Sequence, residues 1–180
     1  MAVKVTTGVA RASYVNITEP KSINGSKPKY SSSLIIPKSD KATIKLIEDA
    51  IEQAIQEGVG KFGGKIPPRG SLKLPLRDGD TERDDEDYAG AYFINANSTF
   101  QPGVVDREGN ITDASIIYSG CYVRACISFY AFNTNGNRGI AAGLQALQFI
   151  RDGKPLGGRV NAAEEFGAFH EDAENDDLFT

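Results

Sequence analysis

The chain has 180 residues, with 20 Lys/Arg against 24 Asp/Glu, one His, two Cys and no Trp. That length supplies one domain whose core needs no disulfide or metal, and no apolar run is long enough to cross a membrane. The only histidine, His170, lies in the last twenty residues, in what reads as a tail, which removes Ser–His and Cys–His catalysis; being alone, it also removes multi-histidine metal sites.

Residues 3–17 read as a strand, with Val3, Val5 and Val9 on one parity and Lys4 and Thr6 on the other; Pro20 is expected to end it. Ile23-Asn24-Gly25-Ser26 is a turn signal. A second strand runs from Lys29 to Pro37, with Tyr30, Leu34 and Ile36 on one side and Lys29, Ser31 and Ser33 on the other. One helix is predicted over about 40–58. Ser39 or Asp40 can cap it, Ile44, Ile47, Ile51 and Ile55 form its apolar stripe, and Gly58 and Gly60 stop it. Residues 61–90 read as a long irregular loop containing an acidic run, Asp78 to Asp87. Strands follow at 92–98 and near Val104-Val105, then a turn at 108–110. A long hairpin, 116–132 and 138–150, turns at Asn135-Gly136. With one helix available for crossovers, the pattern favours an all-β class, β-rich with one inserted helix, as a small barrel rather than a parallel sheet.

Charge divides the chain. The net charge is −4, but the last twenty residues hold seven acids and no Lys or Arg, so residues 1–160 carry +3. The expected organisation is a folded domain over 1–160 and a disordered acidic tail over 161–180, too poor in apolar groups to offset ordering entropy. A basic body with an acidic tail points to a polyanion-binding body and a tail that mimics the polyanion.

The segment 118–132 carries the functional argument. Its odd positions (Ser119, Cys121, Val123, Ala125, Ile127, Phe129, Ala131) are uncharged and suit a core. Its even positions include Tyr118, Tyr122, Tyr130, Phe132 and Arg124. Rings with a cation on a solvent-facing sheet suit unstacked bases. The proposed stacking platforms are Tyr118, Tyr122, Tyr130 and Phe132, with Phe93 as a further candidate that shares a parity with Asn95 and Asn97. The proposed phosphate contacts are Arg124, Arg138, Lys29 and Arg11. The competing reading is that the helix or the long loop covers this face and the rings are ordinary core. A β-bulge is a second way for the parity to fail.

Other signals fail. Gly58-Val-Gly-Lys-Phe-Gly-Gly-Lys65 lacks the spacing and the Ser/Thr of a phosphate loop and trails a helix. The run 78–87 lacks the glycine and closing glutamate of a calcium loop, which leaves a solvated loop, a weak metal site or a flap over the groove. Cys121 and Cys126 fall on opposite faces of one strand, so they neither bridge nor share a metal, and reduced cytoplasmic thiols are expected. Neither a secretion signal nor a cofactor or metal site is expected.

The segments Glu19-Pro-Lys21, Pro28 to Lys38, Pro75-Leu-Arg-Asp-Gly-Asp80, Tyr88-Ala-Gly90, Tyr118-Ser-Gly-Cys-Tyr122, Phe129 to Gly136, and Arg151 to Arg159 together resemble those of a phage family of single-stranded DNA-binding proteins once grouped as a domain of unknown function. The resemblance covers nearly the whole body. It implies an OB-fold barrel, no enzymatic activity, and a role in phage DNA replication or recombination in the host cytoplasm. The tail, with Asp176, Asp177, Leu178 and Phe179, is similar to the partner-binding tails of bacterial and short-tailed-phage single-strand binders, although here Thr180 follows the phenylalanine. The expected partners are single-stranded DNA and, through the tail, replication or recombination proteins; an exposed sheet edge is compatible with a homo-oligomer. The alternatives are a phage structural or assembly protein using the β domain as a protein-binding module, and a nuclease using carboxylates of 78–87.

Overall fold

The structure, a computed structural model, describes residues 2–22, 25 and 27–156. The predicted turn at 23–26 lies mostly outside these residues. The 160/161 boundary and the tail, including Asp176, Asp177, Leu178 and Phe179, lie wholly outside them.

The described elements are β1 (Val3–Thr6), β2 (Ala10–Lys21), β3 (Lys29–Pro37), α1 (Lys41–Glu57), β4 (Leu76–Asp78), α2 (Gly79–Glu82), β5 (Ala91–Ser98), β6 (Gly103–Val105), β7 (Tyr122–Thr134) and β8 (Asn137–Arg151). Five strands close on themselves in the order β2–β3–β5–β8–β7–β2. All neighbours in that ring are antiparallel except β5 and β8, which meet in parallel at Asn97 and Gly143. β1 adds to β7, β4 to β5 and β6 to β8. This is the small barrel of the OB type, here with its helix between the second and third strands of the ring.

The helix forms and stops as its residues dictate. The Asp40 carboxylate accepts from the Thr43 amide at 3.2 Å, and the Gly58 amide closes the last turn on Ala54 and Ile55 carbonyls. The stripe Ile44, Ile47, Ile51 and Ile55 is buried against β1, β7 and β8, each such side chain contributing about 1.5–3 kcal/mol over an exposed one. The hairpin turns at Asn135 and Gly136, with φ of 51° and 86°. That is the left-handed pair a two-residue loop needs to match strand twist.

Three expectations needed correction. Residues 3–17 are not one strand: the chain breaks at Thr7-Gly8-Val9, and the second piece runs through Pro20 to Lys21. The long strand starts at Tyr122 rather than 116, because a single 3-10 turn over 114–116 and Gly120, with φ 116°, intervene. The loop 61–90 contains β4, α2 and two 3-10 turns.

That loop is braced at its base. The Lys38 ammonium lies 2.9 Å from Asp78 and 2.8 Å from Asp80, and Asp80 also accepts from the Gly90 amide at 2.9 Å. Hydrogen bonds from Lys38 hold both carboxyls below the usual aspartate range, while the same bonds push the ammonium above the usual lysine value. Lowered carboxyl pKa values stabilise the brace above the ordinary carboxylate range and lose that effect on acidification; the raised lysine pKa withdraws its share only in strong alkali.

Two outcomes are expected. Ile47, fully buried on α1, and Leu46, 53% exposed beside it, separate core from surface. Ile47→Ala should cost about 2–5 kcal/mol in denaturant unfolding, and Leu46→Ala should stay within about 0.5 kcal/mol. Amide hydrogen exchange over 79–90 should be protected at neutral pH and accelerate, relative to the barrel, below about pH 4.

Candidate nucleic-acid interface

Barrel closure sets which side chains of β3 and β5 face outward. Leu34, Ile36, Ile94 and Ala96 point into the core, so Ser31, Ser33 and Ile35 face out opposite Asn97, Asn95 and Phe93. The resulting ladder is polar at one end and apolar at the other. Its polar end floors a groove of about 470 Å³, which Lys21, Lys27, Lys29, Tyr14 and Arg83 also line.

Tyr14 is the residue that the sequence analysis missed. β2 pairs Ser13 with Ser33, but the next match is Asn16 with Ser31, so β2 carries one extra residue. Inward positions change from Ala10 and Ala12 before this bulge to Val15 and Ile17 after it. Tyr14 sits in the bulge at φ 47° with its side chain 56% exposed. A non-glycine residue held in the left-handed region is uncommon, and such residues cluster at functional sites. Its ring stands between the first groove and a second of about 520 Å³, which Tyr118, Ser119, Asp85 and Asp87 also line. Asn16 and Lys21 reach both. No signal in the sequence marks the bulge.

The residues 79–90 lie across the outer face. Tyr88 is buried edge-on to Phe93, with ring centroids 5.2 Å apart at 80°. The Arg83 guanidinium lies 5.0 Å from the centroids of both rings and 5.5 Å from that of Tyr14, a cation held by three aromatic rings.

The predicted site residues divide between faces. Lys29 lines the first groove and Tyr118 the second. The Tyr118 hydroxyl donates to Asp152 at 2.7 Å and accepts from the Gly153 amide at 3.1 Å; burial, then Asp152, raises its pKa. Arg11 donates to the Gly120 and Lys154 carbonyls at 3.1 and 2.6 Å, and its guanidinium is 3.8 Å from Asp87. Tyr122 meets two cations, its ring centroid 5.7 Å from the Arg11 guanidinium carbon and 4.3 Å from that of Arg151.

The parity of β7 is as expected over most of its length. Cys121, Val123, Ala125, Ile127 and Phe129 are buried, while Arg124 and Tyr130 are exposed; Ser128, an even position, is buried. In the ring, however, β7 stands opposite the β3–β5 junction, so its outer face points away from the groove. Arg124 donates to the Thr7 carbonyl at 3.0 Å. Tyr130 and Phe132 border a separate hollow near Lys61 and the end of α1, and Arg138 is half-buried at the hairpin end. Phe93 differs from its expectation outright. It is outward-facing on β5 but only 2% exposed beneath Tyr88 and Arg83, and a covered ring offers no face to a base. Among the described residues, no group of three or more His, Cys, Asp or Glu is placed to hold a metal ion, and no helix is long and apolar enough to cross a membrane.

A family model for the single-stranded DNA-binding protein of Enterobacter phage Enc34 matches residues 3–179. Protein p50 of Acyrthosiphon pisum secondary endosymbiont phage 1 is 34% identical over 174 residues, covering 91% of this chain and 92% of that protein. The solved structure of the Enc34 single-stranded DNA-binding protein in complex with single-stranded DNA aligns with a TM-score of 0.76 and 26% identity, over 86% of this chain and 89% of its own. The single-stranded DNA-binding protein gp2.5 of bacteriophage T7 shares the fold, with a TM-score of 0.62 and 17% identity over 94% of this chain and 99% of its own. With a match running nearly end to end, this chain belongs to the Enc34 phage single-stranded DNA-binding protein family.

Proposed function

We propose that this protein binds single-stranded DNA without strong sequence preference, as a stoichiometric, non-enzymatic coat in phage DNA replication or recombination in the host cytoplasm. The carrying observation is the exposed Tyr14 ring, standing on a bulge between two grooves and flanked by Lys21, Lys27 and Lys29. An unpaired base stacks on such a ring whatever its identity, and the lysines follow the phosphates. Ser31, Ser33, Asn95 and Asn97 offer hydrogen-bonding groups on the groove floor to bases whose edges are free only in a single strand. A duplex presents no ring faces and is expected to bind weakly.

Support for this reading comes from family membership and from the solved Enc34 complex with single-stranded DNA. Tyr118, Lys29 and Arg11 belong to or border the same pair of grooves. The outer face of β7, with Tyr122, Arg124, Tyr130, Phe132 and Arg138, is a second surface, on which the strand could continue or a partner could dock. The acidic tail, through Asp176, Asp177, Leu178 and Phe179, is proposed to recruit replication or recombination proteins.

Fluorescence-anisotropy titration with labelled oligo-dT tests this. Tyr14→Ala should weaken binding by about 1–3 kcal/mol with little change in melting temperature, whereas Tyr130→Ala should do so only if the strand crosses the β7 face. The log–log slope of affinity against salt should be near −0.7 per phosphate neutralised. Salt-insensitive binding, or duplex bound as tightly as oligo-dT, contradicts the reading.

A further inference from the structure

We propose that the acids of residues 84–87 are a built-in competitor of DNA phosphate, which closes the second groove to the strand while leaving the first open. The inference rests on the single-stranded DNA reading above.

The strap from Gly79 to Gly90 is fastened at several points. Lys38 grips Asp78 and Asp80 at its start, and the Gly90 amide returns to Asp80 at its end. Gly79 lies so close to the Tyr88 and Ala91 carbonyls that a Cβ there has no room. Arg83 is held by the rings of Tyr14, Tyr88 and Phe93, and Tyr88 is buried to 1% exposure. Between these last two anchors lie four consecutive acids, Asp84, Asp85, Glu86 and Asp87, all exposed. The Asp85 carboxylate accepts from the Asp87 amide at 2.9 Å, which fixes the local turn.

The two grooves on either side of Tyr14 therefore differ in sign. The first is lined by Lys21, Lys27, Lys29 and Arg83 and, among the described residues, by no acid. The second is lined by Asp85 and Asp87 with Lys21 as its cation. Asp87 also stands 3.8 Å from the Arg11 guanidinium, whose other partners among the described residues are the Gly120 and Lys154 carbonyls and the Tyr122 ring. An arginine at the edge of an aromatic-lined groove is a phosphate ligand in waiting, and here a carboxylate of the same chain already faces it. A strand lying in the first groove meets cations and neutral groups, and no carboxylate among the described residues. A strand long enough to pass Tyr14 must displace Asp87 from Arg11 and approach Asp85, so each added phosphate meets repulsion where the residues beneath it would otherwise attract. The strap thus limits how tightly long single strands are held.

The test compares the full chain with the Asp85→Asn/Asp87→Asn double variant, since asparagine at 85 keeps the acceptor for the turn. A matched-charge control, Glu48→Gln/Glu108→Gln, removes two exposed acids elsewhere. Each is titrated with oligo-dT of about 6 and about 16 nucleotides, within the site sizes of OB folds. The strap variant should bind the longer strand about three- to tenfold more tightly at low salt, with a salt slope steeper by about 0.7 for each phosphate newly engaged. The short strand and the charge control should change less than twofold. In an Arg11→Gln background the part of the gain due to Asp87 should disappear. Wild-type binding with no gain in the strap variant, or a gain that the charge control or the short strand matches, overturns the competitor; failure of every form to bind oligo-dT overturns the DNA reading with it.

Discussion

Everything outside the barrel follows from how the barrel shuts. β8 is long enough to pair with β7 along its whole length and still reach β5 and β6 in parallel at its other edge. The β5 contact is made between Asn97 and the buried Gly143. Once the ring is closed, each strand has one inner parity, and α1 plugs the interior with its isoleucine stripe. The groove is the outer parity of β3 and β5, exposed wherever the 79–90 strap does not cover it.

On that scaffold the interface is made by departures from regularity. A single extra residue in β2 turns Tyr14 out of the sheet, and the strap brings Arg83 over it. The positive wall of lysines and the ring beside it supply the two generic attractions a single strand offers, charge along its backbone and faces on its bases. The polar pairs Ser31–Asn97 and Ser33–Asn95 lie between them. The acids of the strap give the adjacent groove the opposite sign, so strand length and ionic strength become coupled variables in binding.

Regular periodicity was legible in the sequence, and long-range docking was not. The helix, the Lys29–Pro37 strand and the Asn135-Gly136 hairpin follow from local pattern, and most of the inner and outer residues of β7 sort as their parity says. Which outward face fronts the groove depends on ring order: β7 lies opposite β3 and β5, a fact no local pattern encodes. Tyr14 was missed because the break at Gly8 and the bulge at Tyr14 each shift the parity of the first strand. Phe93 was expected at the surface because its parity is indeed outward; what covers it, Tyr88 and Arg83, comes from a loop whose docking no spacing announces.

The central claim is that single-stranded DNA lies over the β2–β3–β5 face beside Tyr14. Amide chemical-shift mapping on addition of oligo-dT addresses it directly. Perturbations should concentrate on Tyr14, Lys29, Ser31, Ser33, Asn95 and Asn97 and fade across the barrel. Shifts centred on Arg124, Tyr130 and Phe132, with the β3–β5 face unmoved, would contradict the account.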